Sequence, residues 1–299
     1  MPESRLALGI LLMLGAGFCF AALDATAKHL SQTFPVPMLV WARYAVHLAL
    51  MTAFLAPSMR GRLVATRRPL AMTLRALMLV GTTGFAMAGF RILPLAESTA
   101  LLFVTPLVVV LLARYMLAET VSAGRWLAVA AGFAGALLVA RPGGALSLQG
   151  VVLMSLAAAC YAIYQVQTRH LTLTENGVTM LFYTAMVGTL AMSLAAPLYW
   201  GGPTPGATEA LLIASLGIYG GVGHWMMIHA FRHAPASALA PYLYVQLVWA
   251  GLLGWLVYDH LPDAMSVAGM AVIAASSISI ALSSRARPGR AAADTDAAC

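Results

Sequence analysis

The chain has 299 residues, of which 61% are hydrophobic and only 9% charged, with a formal net charge of +7 and a mean hydropathy of +0.86. Soluble domains run at about 45–50% apolar and about 25% charged, so a water-soluble enzyme or binding module is excluded. A membrane helix takes about 20 apolar residues, so ten would use roughly 200 and leave only short connectors.

Apolar runs broken by Pro, Gly or charge predict helices near 6–30, 36–56, 70–90, 95–117, 122–140, 147–170, 177–198, 208–231, 237–257 and 264–283. In hydrocarbon the backbone must satisfy its own hydrogen bonds, so these runs read as helices and not strands. The first run follows only Arg5 and continues into Asp24 and Lys28, which reads as a permanent span and not a cleaved leader. Cys19, Cys160 and Cys299 form no CxxC and no zinc spacing. With the N-terminus in the cytoplasm, twelve of the seventeen Lys and Arg fall on inside segments. Lys28, Arg91 and Arg141 fall outside, and Arg43 and Arg75 lie within spans. The positive charge thus reports sidedness, not nucleic acid, and places both termini on the cytoplasmic side of the membrane. Residues 285–299 (RARPGRAAADTDAAC) read as a disordered cytoplasmic tail.

Sliding the chain by 141 residues superposes GILLMLGAGFCFAALDATAKHL (9–30) on GVVLMSLAAACYAIYQVQTRHL (150–171), with eight of 22 positions identical, Cys19/Cys160 and His29/His170 among them. The same offset carries Phe90-Arg91-x-x-Pro94 onto Phe231-Arg232-x-x-Pro235. Two repeats of five spans are expected, residues 1–143 and 144–284. Five is odd, so the second repeat lies inverted in the membrane. Inverted repeats enclose a site near the midplane that rocking exposes to each side in turn, so a secondary transporter is the expected function.

The segment TPLVVVLLARYMLAET (105–120), followed by GRWLAVAAGFAGALLVARPGG, and its second copy YVQLVWAGLLGWLVYDHLP with SVAGMAVIAASSISIAL, resemble the ends of EamA-type repeats of the drug/metabolite transporter superfamily. Within that superfamily the chain is most similar to the YddG-like aromatic amino acid exporters. The resemblance implies a ten-helix basket, a central cavity and export of amino acids and related metabolites. His260 departs from the pattern, because the turn acid Glu119 has no acidic match in register there.

Phe20, Asp24 and Lys28 lie at i, i+4 and i+8 on the first helix, about 6 Å apart per step, and the offset puts Tyr161, Gln165 and Arg169 in the same places on the sixth. An aromatic, a polar group and a cation on one stripe suit a zwitterionic amino acid. An Asp24–Lys28 pair that merely neutralises both charges is the alternative. Arg43 and His47 share a face of the second helix, and an arginine that deep needs water or a partner such as Asp24 or Glu97. Glu97 and Ser98 at the start of the fourth helix read as a helix cap. Phe85, Phe103, Tyr164, Trp225 and Tyr244, with Gln246, fall inside spans and complete the candidate substrate-binding set; Trp249 is also inside, whereas Trp126, Tyr199, Trp200 and Tyr258 sit at belt depth.

Gly84, Pro106, Gly221 and Pro241 are candidate gating positions, since Gly and Pro let helices bend or approach closely. His224 and His229 are about 140° apart on a helix and cannot share a metal. No HExxH, GxSxG or GxxxxGK[ST] occurs, so no catalytic residue, metal, cofactor or ATP site is expected. The expected partners are a small-molecule substrate, an amino acid, and the lipid bilayer. A monomer is compatible with the sequence, which does not set oligomeric state. Transport of another metabolite or drug, a channel and an intramembrane enzyme are the alternatives.

Overall fold

The computed structural model describes residues 3–116, 122–141, 146–171, 174–199, 201–233, 239, 242 and 244–283. Glu119, Pro241, the tail 285–299 and the side chain of Arg169 lie outside the described residues. The described chain is helical: α1 (Glu3–Leu30), α2 (Val36–Met59), α3 (Pro69–Ile92), α4 (Leu95–Leu102), α5 (Thr105–Met116), α6 (Ala123–Ala140), α7 (Leu148–Leu171), α8 (Gly177–Tyr199), α9 (Ala207–His233), α10 (Val245–Tyr258) and α11 (Ala264–Ser283), with a 3-10 turn at Arg60–Leu63. Seven segments are long and apolar enough to cross a membrane, α4 and α5 forming one of them, and the shorter apolar helices Trp126–Ala140, Val245–Tyr258 and Ala264–Ile280 bring the spans among the described residues to ten.

The fourth span breaks where its sequence requires. Pro106 has no N–H to offer the carbonyl four residues back, that of Leu102, and its ring disfavours a helical residue before it. The Thr105 hydroxyl donates to the Leu102 carbonyl at 2.7 Å. A polar side chain thus replaces the missing backbone donor inside the membrane.

Helix pairing carries the two-fold relation of the repeats. The offset of 141 relates α1 to α7, α2 to α8 and α3 to α9. The contacts pair α1 with α9 and α3 with α7, α2 with α8, and α6 with α11. The first two pairs are images of one another and the last two map onto themselves, which is the pattern of an internal two-fold axis. Phe103 and Tyr244 occupy equivalent positions and their ring centroids lie 4.9 Å apart, so the axis passes close to them. Lipid tails are as apolar as leucine, so close packing and hydrogen bonds hold such helices together. Where α6 crosses α11, a Cβ on Gly135 would lie 2.8 Å from the Gly269 carbonyl oxygen, and one on Gly269 would lie 2.7 Å from that of Gly135. The outer surface carries exposed Leu11, Phe54, Leu70, Leu194 and Leu211, the face that lipid covers.

The turns separate into two sets. At one end the Arg67 backbone N–H donates to Glu175 Oε1 at 3.2 Å. At the other end Arg141 pairs with Asp263, His260 meets Glu97, and Gln32 Nε2 donates to the Arg91 carbonyl at 3.1 Å. Each contact joins turns that alternate spans put on one side.

Candidate substrate site

Helices α2, α3, α8 and α9 surround a narrow cavity lined by Arg43, Tyr44, His47, Leu79, Leu181, Thr184, Gly217, Gly220 and His224. Arg43 Nη1 donates to Thr83 Oγ1 at 3.1 Å. Tyr44 Oη lies 3.1 Å from the Leu79 carbonyl and 2.9 Å from Thr83 Oγ1. The glycines of α9 make room for this: a Cβ at Gly217 would come within 2.6 Å of Val46 and 3.0 Å of the Arg43 carbonyl. Gly220 faces the guanidinium, with Arg43 Nε 3.6 Å from an ideal Cβ.

Beside the cavity, Asp24 on α1 is buried and accepts a hydrogen bond from Gln246 Nε2 at 3.1 Å across to α10. It interacts electrostatically with Arg43, yet no ion pair joins them. Phe20 meets the His224 ring edge-on at 5.0 Å, tying α1 to the cavity wall. On α7, Tyr161 and Tyr164 stack at 5.7 Å. Tyr164 Oη accepts from Arg75 Nη2 at 2.8 Å, while Arg75 Nε donates to Thr168 Oγ1 at 2.6 Å and Nη1 donates at 3.1 Å to both the Met180 carbonyl and Thr184 Oγ1. Arg75 is only 2% exposed, and these neutral acceptors carry its charge through the membrane core. Thr184 therefore links an arginine with four hydrogen bonds to the wall of a cavity in which Arg43 has one.

The structure thus brings together Phe20, Asp24, Arg43, His47 and Gln246, and places Tyr161 and Tyr164 on the neighbouring α7. Gln165 is half-buried on α7. Phe103 and Tyr244 pack on each other, and Phe85 packs against the apolar cluster of Phe90, Leu101 and Met154. Other expectations need correction. Lys28 neither pairs with Asp24 nor enters the cavity: its Nζ donates to the carbonyls of Phe90 and Leu93 at 2.8 and 2.6 Å, closing the end of α3. Positions four apart drift by about 40°, so Lys28 stands about 80° around the helix from Phe20. Trp225 is 55% exposed and packs on His229 at 4.2 Å, away from the cavity.

Glu97 makes no side-chain cap of α4; it reaches His260 instead. Of the gating positions, Pro106 sits at the break in the fourth span. A Cβ at Gly84 would meet nothing within 4 Å, and one at Gly221 only ordinary contact with His47, so close approach does not require glycine at either. Sequence reading left Tyr44, Arg75, Thr83, Thr184 and His224 out of the substrate-binding set. The repeat contained a signal for one of them, because Thr184 is in register with Arg43.

A family model described as the EamA-like transporter family matches residues 7–141 and again 148–282. The chain belongs to the EamA-like transporter family. Among relatives, an S-adenosylmethionine uptake transporter of Rickettsia prowazekii is 30% identical over 209 residues, covering 70% of each chain. The pseudopaline exporter CntI of Pseudomonas aeruginosa is 27% identical and covers 91% of this chain and 95% of its own. A riboflavin transporter of Vibrio cholerae is 28% identical over 89% and 90% of the two chains. One crystal structure superposes with a TM-score of 0.64 over 96% of this chain and 99% of the other, at 17% identity, a likeness of fold alone. This EamA-like protein is therefore a multi-pass membrane transporter of small metabolites and not an enzyme. Its relatives' differing cargoes make the narrower substrate a question for its own site.

Proposed function

We propose that this EamA-like transporter exports amino acids, aromatic and other apolar ones, and related small metabolites across the bacterial inner membrane by alternating access. The observation that carries the reading is the relation of Asp24 to Arg43. Opposite charges on α1 and α2 interact without forming an ion pair, each held by one neutral partner, Gln246 or Thr83. A zwitterion fits between them, its ammonium on Asp24 and its carboxylate on Arg43. Charge-assisted hydrogen bonds to both ends offset the cost of keeping the two charges in the membrane. Phe20, His224 and Tyr161 supply apolar faces for a side chain. The relatives fit this class in part, since S-adenosylmethionine is itself an α-amino acid derivative and riboflavin is an aromatic metabolite.

Counterflow of labelled phenylalanine in proteoliposomes tests the proposal. Saturable exchange is expected, inhibited by tryptophan and leucine and reduced at least about tenfold by Arg43→Gln, the loss of a charged hydrogen bond. Amino acids that fail to compete where riboflavin or a nucleotide sugar succeeds would reject the amino acid reading. Linear flux without counterflow would reject a carrier.

A further inference from the structure

The turn after α10 reaches across to the start of α4 and so joins the two repeats at one end of the molecule. His260 Nε2 lies 3.3 Å from Glu97 Oε1. The glutamate side chain is only 4% exposed whereas the histidine is 43% exposed, so the buried carboxylate meets an imidazole that solvent can reach. Glu97 Oε2 is buried with no hydrogen-bond partner. Neighbouring contacts close the same end: Tyr258 Oη donates to the Ala25 carbonyl at 2.6 Å, and Lys28 lies over the Tyr258 ring at 5.4 Å while holding the end of α3. An intact inverted repeat would place an equivalent pair at the opposite end. In register, Glu97 corresponds to Ala238 and His260 to Glu119. An alanine and a glutamate cannot make this pair.

We infer that Glu97 and His260 form a proton-strengthened latch on one face only, so that acid on the side that His260 faces holds the cavity shut toward that side. The basic-residue count assigns this face to the outside. A protonated His260 turns a neutral hydrogen bond into a charge-assisted one and places a counter-charge in direct contact with the buried carboxylate, which Lys28 reaches only at longer range. Deprotonation leaves Glu97 as a buried anion with a neutral partner, which favours separating α4 from the turn after α10. The other charged groups at this end are Lys28 on α1, which interacts electrostatically with Glu97, Arg91 and Arg141, and Asp259 and Asp263; the exposed His29 is also titratable. Lys28 is committed through Nζ to the α3 end and Arg141 to Asp263, while the Arg91 side chain is exposed to solvent. His260 is the histidine at the interface of the two repeats here.

This inference rests on the cavity being the transport path, and its test needs no cargo. In protein with Cys19, Cys160 and Cys299 changed to alanine, Gly220→Cys puts one thiol on the cavity wall, where an added Cβ makes only ordinary contacts. A membrane-impermeant thiol reagent is applied from the His260 side, with rates divided by those of the unfolded protein at the same pH to remove thiol chemistry. Labelling is expected to fall about fivefold from about pH 8 to about pH 5.5, where histidine changes charge. His260→Gln and Glu97→Gln should stay at the high-pH level throughout. Labelling that never responds to pH, at any level, or a His260→Gln variant that keeps the parent profile, overturns the latch. If Glu97→Gln does not fold, the half-exposed His260→Gln carries the decision. Failure of amino acids to compete in counterflow would leave this result standing, so the two readings fail separately.

Discussion

Asp24 and Lys28 stand one turn apart on α1 and do different work. Asp24 is held by Gln246 beside the cavity, whereas Lys28 caps carbonyls at the end of α3, where a cation also complements the helix dipole. Asp24→Asn keeps an acceptor for Gln246, so it should leave thermal stability within about 1 kcal/mol and abolish most transport. Lys28→Met strips two bonds from the α3 end and should lower stability by about 1–3 kcal/mol. Melting in detergent beside counterflow checks both; a Lys28→Met protein with unchanged melting and no transport would return that lysine to the cavity. The stripe was legible in the sequence as spacing. Its division was not, because the partner of Lys28 is a pair of main-chain carbonyls more than sixty residues away, which no side-chain pattern announces.

Among elements, the N-terminus of α11 illustrates a cap that also ties turns together. Asp263 Oδ1 accepts the Ser266 backbone N–H at 2.8 Å, and Arg141 from the end of α6 bonds its other oxygen. The Ser266 amide first, and Arg141 second, hold the carboxyl at about 2 against its usual 3.8. With the native value depressed, the unfolded chain takes up the proton first on acidification. The cap's contribution is therefore complete above about pH 3.8 and is lost as pH falls toward 2. Arg141→Gln should raise the carboxyl part of the way and leave it below 3.8, since the amide remains. A carboxyl carbon NMR titration of the detergent-solubilised protein checks this, and full return to the usual value would assign the effect to the arginine. The sequence placed α11 at 264–283, its observed bounds, because charge interrupts the apolar run on either side. It predicted one continuous fourth span, and Pro106 divided it.

For the whole molecule, the mutual pairing of α1 with α9 and α3 with α7 follows from two repeats related by a two-fold axis. The turn contacts assort into two faces, and the basic-residue count assigns which is cytoplasmic. Two single cysteines test that assignment. Gln32→Cys should react with an impermeant reagent only from outside the cell, and Gly61→Cys, whose surroundings are open, only from inside. Labelling of both from one side would mean that α2 does not cross the membrane, and exchanged sides would reverse the orientation.

Span number, the duplicated five-helix unit and membrane transport were determined by the amino-acid sequence, because hydropathy, helical period and a fixed repeat offset are properties of one dimension. The tertiary structure decided which polar groups share the cavity. That depends on the rotation of each helix about its axis and on partners far away in sequence. Arg75 shows the difference: the repeat register sets it against Leu216, so the sequence offers no companion for it, yet the fold surrounds it with Tyr164, Thr168, Thr184 and the Met180 carbonyl. Arg43, half-buried, is left with donors to spare beside a cavity, where the packing of α2 against the glycines of α9 leaves space.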